Sequence, residues 1–115
     1  MTLTKQQILE ASDTKTQEVE VPEWVGSVTI QTMTGYARDQ FEGSITGKNG
    51  AVNTTNIRAK LVAACVVDDA GELMFGEKDI AKLGKKSAAA LERVFSAAQS
   101  MNRISDNDVE ELAKN

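Results

Sequence analysis

The sequence contains no histidine, one cysteine and one proline among its 115 residues. The missing histidine excludes Ser-His and Cys-His nucleophile pairs, removes the usual zinc ligand sets and leaves no ordinary pH switch near neutrality. A lone cysteine cannot form an internal disulfide. Cys65 falls on an apolar stripe, where it reads as a small core hydrophobe and not a reactive thiol. Basic residues are too few and too dispersed for a nucleic-acid footprint: 13 Lys and Arg stand against 17 Asp and Glu, a net charge of −4. Lys82, Lys85 and Lys86 make the one basic cluster, and it reads as a solvated helix end. No apolar run approaches bilayer-spanning length, and residues 1–13 lack a basic lead and an apolar block, so a soluble, reducing setting with no membrane contact is expected. A chain of this length forms one domain that buries roughly two-thirds of its unfolded surface, without staples.

Residues 55–75, TNIRAKLVAACVVDDAGELMF, form the longest apolar segment. Ile57, Leu61, Ala64 and Cys65 recur at helical spacing with Val62 beside them, and residues 53–56 offer capping side chains, which predicts the core helix here. Asp68, Asp69, Ala70 and Gly71 then predict a turn in which Gly71 takes a positive φ, and Leu73, Met74 and Phe75 an apolar return.

The preceding residues predict a short helix, a hairpin and a second helix. Thr4 and Gln7 fit a capping box flanked by a Leu3/Ile8 staple, and that helix is expected to end near Ser12 and Asp13. Val19 and Val21 alternate with Glu18 and Glu20, and Val28 and Ile30 with Thr29 and Gln31. A β-hairpin pairing residues 15–21 with 25–33 across the turn at Pro22 follows. Thr34 caps a helix expected to end at Gly43. Residues 43–53, with Gly43, Gly47 and Gly50, read as a flexible loop. The second half predicts a short helix over residues 77–83 stopped by Gly84. A long helix over 86–103 follows, striped with Leu91, Val94, Phe95, Ala98 and Met101, with Asn102 on its polar side; Ala88, Ala89 and Ala90 permit close backbone approach. Ser105 caps a final helix with a narrow face of Val109 and Leu112. The predicted architecture is α+β: an N-terminal β-hairpin packed on a mostly helical small domain, divided into residues 1–42, a loop at 43–53 and a helical part at 54–115.

No pattern carries chemistry. Counted from Val66, Gly71, Leu73 and Glu77 fall at the sixth, eighth and twelfth positions of a calcium loop, but Val66 and Ala70 occupy positions that need oxygen donors, so no metal site is expected. Asp68 and Asp69 lack a nucleophile or second polar cluster, which argues for a solvated turn over an acid–base pair. Neither a catalytic residue nor a cofactor is therefore expected. Trp24 has two readings, a lid folded over the core or an exposed partner anchor, and Met33, Met74 and Phe75 share that ambiguity.

The order of these elements resembles one known family. Trp24-Val25-Gly26 leading into the strand at 27–32, Ile57-Arg58-Ala59-Lys60-Leu61-Val62 running into VDDAGELMF at 67–75, Asp79-Ile80-Ala81-Lys82-Leu83, a long helix and Met101-Asn102-Arg103-Ile104-Ser105 are similar to the tail assembly chaperones of long-tailed bacteriophages. The resemblance runs from about Val19 to Ser105. It implies a non-enzymatic small α+β domain in the host bacterial cytoplasm. Such a domain binds the tail tape measure protein, keeps it soluble, assists polymerisation of the tail tube protein and is absent from the finished virion. Self-association is compatible with the alanine-rich start of the long helix at Ala88, Ala89 and Ala90. The alternative is a structural tail or head-tail component retained in the particle. Members of that family often use a programmed ribosomal frameshift. Ala113-Lys114-Asn115 can be encoded by GCA-AAA-AAC, which contains a slippery A-AAA-AAC, so reading the gene tests that expectation. No family motif fixes partner-binding residues; on physical grounds Trp24, Met74, Phe75, Val109 and Leu112 are the expected contacts.

Overall fold

A computed structural model describes residues 1–103 of the chain. The elements in order are α1 (Lys5–Glu10), β1 (Thr16–Val21), β2 (Gly26–Gln31), α2 (Gly35–Ile45), α3 (Ile57–Cys65), β3 (Val66–Val67), α4 (Ile80–Leu83) and α5 (Ala88–Asn102), with 3₁₀ turns at Pro22–Trp24, Lys48–Gly50 and Glu77–Asp79. The chain is thus an α+β domain with an N-terminal hairpin, as its alternation predicts.

The sheet is antiparallel in the order β1-β2-β3. Val19 pairs with Val28 and Ile30 with Val66, so the valines and isoleucine of alternate positions meet on one face. That face is the buried one: Val19, Val21, Ile30 and Val66 are in the core, whereas Glu18, Glu20, Ser27 and Thr29 are exposed. α5 packs against the hairpin and against α3, and α2 against α3. Leu61, Val62 and Cys65 from α3 meet Leu91, Val94 and Phe95 from α5, while Phe41 and Ile45 from α2 complete the same cluster. Ala59, Ala63, Ala90 and Ala98 are also buried there, and their small side chains let the helices approach closely.

The hairpin turn differs from its prediction at one residue. Val25 is not the first strand residue; it closes the Pro22–Trp24 turn in the left-handed region at φ 56° and donates its N–H to the Pro22 carbonyl. A β-branched side chain is strained there, and it is 93% exposed. Beyond β2 the pairing continues through Lys15 and Thr32, which exchange a backbone bond and a backbone-to-hydroxyl bond, both 2.9 Å.

Helix ends show where local signals succeed. Thr4 forms the expected capping box, its hydroxyl accepting from Gln7 N and its own N–H donating to the Gln7 side chain. Yet α1 stops at Glu10, contributes nothing to the core, and leaves Leu3, Ile8 and Leu9 exposed. α2 does not end at Gly43 but runs through it to Ile45, because the buried stripe Ala37, Phe41, Ile45 rewards one further turn more than glycine penalises it. Residues 46–53 are then closed by their own backbone: Gly47 N–H bonds to Ala51 O, Asn53 N–H to Ile45 O, and Thr46 bridges Val52. At α3 the expected capping side chains do something else. Asn53 braces its own turn through Thr55 N–H, and Asn56 takes a left-handed φ of 56° without capping the helix. Its side chain lies where a Cβ on Gly84 would sit 2.7 Å from Oδ1, so glycine at the end of α4 makes room for it.

Candidate protein-binding groove

A concavity lies over α2, α3 and the return segment after the Asp68–Gly71 turn. Each wall has a local cause. Thr34 caps α2 by accepting from Ala37 N–H at 3.1 Å. With Ala37, Phe41 and Ile45 turned inward, Tyr36, Asp39, Gln40, Gly43 and Ser44 are left along the opposite margin. α3 likewise buries Ala59, Leu61, Val62 and Cys65 and offers Lys60, Ala63 and Ala64 to the cavity. The return segment is aimed by the turn: Asp68 Oδ1 accepts from Ala70 N–H (2.9 Å) and Glu72 N–H (3.1 Å), and Gly71 takes φ +81°, as its sequence context predicts. The Asp68 carboxylate therefore holds the turn together. Leu73 then bridges Val67, and Met74 N–H bonds to Val66 O.

In this extended segment Leu73 and Phe75 line the cleft and Met74, between them, does not. The cleft measures about 490 Å³ and is floored by Ala37, Phe41, Ala63, Ala64, Phe75 and Ile80. A second cleft of about 310 Å³ shares Tyr36, Ala37, Ala64 and Leu73 with it and extends the trough to Met33 and Glu72. Tyr36 is 71% and Leu73 44% exposed, so two large apolar side chains stand in water on the trough's shoulders. Asp39 and Glu77 line the first cleft and Glu72 the second; Lys60 is the basic residue of the lining, and its Nζ donates to the Ser44 carbonyl at 2.8 Å. The trough is apolar below and acidic at its rim.

The partner residues expected from sequence do not converge here. Phe75 is in the trough, half-buried against the core. Met74 is 50% exposed outside it. Trp24 packs half-buried against the core on the hairpin turn and lines neither cleft, the placement of a lid. Val109 and Leu112 lie outside the described residues. Tyr36 and Leu73, which are not among the contacts expected from sequence, hold exposed positions on this trough, and only the course of the return segment sets Tyr36 and Leu73 on the same cleft.

Polar contacts elsewhere are structural. Asn102, assigned from its spacing to the polar side of α5, bridges two elements: Oδ1 accepts from Met33 N–H at 2.8 Å, and Nδ2 donates to Ala98 O at 2.9 Å and lies 3.5 Å from Cys65 Sγ. Burial pushes the Cys65 thiol up to about 12, against a small lowering by that contact. Glu92 is held below the usual carboxylate range by the hydrogen bond from Arg58, whose guanidinium also sits 5.6 Å from the Phe95 ring centre, and Glu23 by the hydrogen bond from Arg93. Among the described residues no cluster of three or more His, Cys, Asp or Glu is arranged to hold a metal ion, and no helix is long and apolar enough to cross a membrane.

Comparison with known proteins places the fold. No protein-family model matches the sequence, and no curated protein matches it significantly. Solved structures do match, and the likeness is one of fold. The structure of the bacteriophage HK97 tail assembly chaperone superimposes with a TM-score of 0.61 at 17% sequence identity, covering 88% of this chain and 95% of that one.

Proposed function

We propose that this chain is a phage tail assembly chaperone that works by binding and not by catalysis. It holds the tail tape measure protein soluble, assists the tail tube protein to polymerise around it, and leaves before the virion is complete, all within the host cytoplasm. The observation that carries the reading is the extent of the fold likeness, which takes in nearly the whole of both chains. The element order resembling that family supports it from the side of sequence, and the trough of exposed apolar side chains with an acidic rim supplies a surface of the kind a folded helper needs.

Co-expression with the tape measure protein of the same genome tests it. The tape measure protein is expected in the soluble fraction only when this chain is present, and mass spectrometry of purified particles is expected to find none of this chain. A tape measure protein that aggregates regardless, or stoichiometric amounts of this chain in mature particles, refutes the reading; the second result makes it a structural component.

A further inference from the structure

We infer that the trough between α2, α3 and the return segment at residues 73–80 receives an amphipathic helix whose apolar stripe is flanked by basic residues. The inference rests on the chaperone reading only for the identity of the partner that supplies the helix.

Three observations specify the occupant. The floor sets the small side chains of Ala37, Ala63 and Ala64 among larger ones, Phe41, Phe75 and Ile80, and Gly43 adds no bulk to the margin, which lets a helix backbone come close while its long side chains fill the gaps. Tyr36 and Leu73 stand exposed on the shoulders where an apolar stripe would cover them, and an aromatic ring desolvated at the centre of an interface supplies much of its binding energy. The rim carries Asp39, Glu72 and Glu77, whose carboxylates have no hydrogen-bond or ion-pair partner among the described residues, whereas Lys60 is already engaged by Ser44 O. Unpaired acids on both sides of an apolar floor select basic flanks and repel acidic ones. A small polar ligand suits the trough poorly, since the lining offers no convergent set of free donors.

The test uses the full-length protein and two synthetic eighteen-residue helices that share one leucine stripe, flanked by lysine in one and glutamate in the other. Binding is followed by amide chemical shifts. The lysine peptide is expected to move the amides of Tyr36, Ala64, Leu73 and Ile80, and the glutamate peptide to leave them in place. Leu73→Arg and Leu73→Glu remove the same exposed side chain with opposite charge, and circular dichroism checks that both remain folded. Leu73→Arg is expected to weaken the lysine peptide by about tenfold or more, and Leu73→Glu by no more than about threefold. Equal effects of the two substitutions, equal binding of both peptides, or shifts that map to Leu3, Ile8 and Leu9 on α1 overturn the inference. The tape measure protein is the second arm. If wild type leaves it insoluble while the lysine peptide still maps to the trough, the trough stands and the chaperone reading falls. If wild type and Leu73→Arg solubilise it equally, the chaperone reading stands and the trough falls.

Discussion

Replacing Asn102 by alanine removes the side chain that ties the end of α5 to the chain entering α2. Met33 N–H loses the acceptor that sits at 2.8 Å, and Ala98 O and Cys65 Sγ lose a polar neighbour. The carbonyl still belongs to the last turn of the helix and the thiol bonds weakly, so the orphaned Met33 N–H dominates. A part-buried donor left unpaired costs about 1–3 kcal/mol. Asparagine-to-alanine also gains helix propensity, offsetting about 0.5 kcal/mol of that. A net loss of about 0.5–2.5 kcal/mol is expected, which for a domain of this size lowers the Tm by about 2–10 °C. Urea unfolding followed by circular dichroism reads the free energy directly, since an unchanged slope with a lower midpoint shows lost stability and not a changed unfolded state. Lys85→Ala, at an exposed position, is the control and should fall within about 0.5 kcal/mol of wild type. A loss below about 0.5 kcal/mol for Asn102→Ala would refute the reasoning, because it would mean Met33 N–H finds water without cost.

Other consequences follow from backbone and burial. Val25→Gly relieves a β-branched residue from φ 56° at an exposed site and is expected to raise stability by up to about 1 kcal/mol in the same urea assay, after the entropy of the added glycine is subtracted. Gly43→Ala meets no atom within 4 Å and lies inside α2, so it should stabilise by about 0.5–1 kcal/mol; because Gly43 lines the trough, peptide binding should weaken at the same time. The Cys65 thiol, buried and raised from 9.0 to about 12, should react with a thiol reagent at pH 8 only as fast as the protein unfolds. The same shift fixes a sign: the unfolded thiol ionises first, so its contribution is complete below pH 9 and disappears as pH rises towards 12. Unfolding of Cys65→Ala across that window should show a smaller decline, and an identical decline would remove Cys65 as its cause.

Local rules wrote much of this protein into its sequence. The alternation at Val19, Val21, Val28 and Ile30 set both the hairpin and its buried face, because a period of two leaves one face to bury. Thr4 and Thr34 act as caps and Gly71 takes its positive φ because those effects need only three or four neighbouring residues. Tertiary structure decided what depends on distant partners. Gly43 was a stop signal by propensity, yet Ile45 finds the core and carries α2 onward. Asn102 was polar-faced by spacing, yet Met33, remote in sequence, supplies the donor that fixes it. Tyr36 and Leu73 meet across one trough because the Asp68–Gly71 turn returns the chain past α2, a meeting that no local pattern encodes, since chain reversal brings together residues whose separation along the sequence carries no signal.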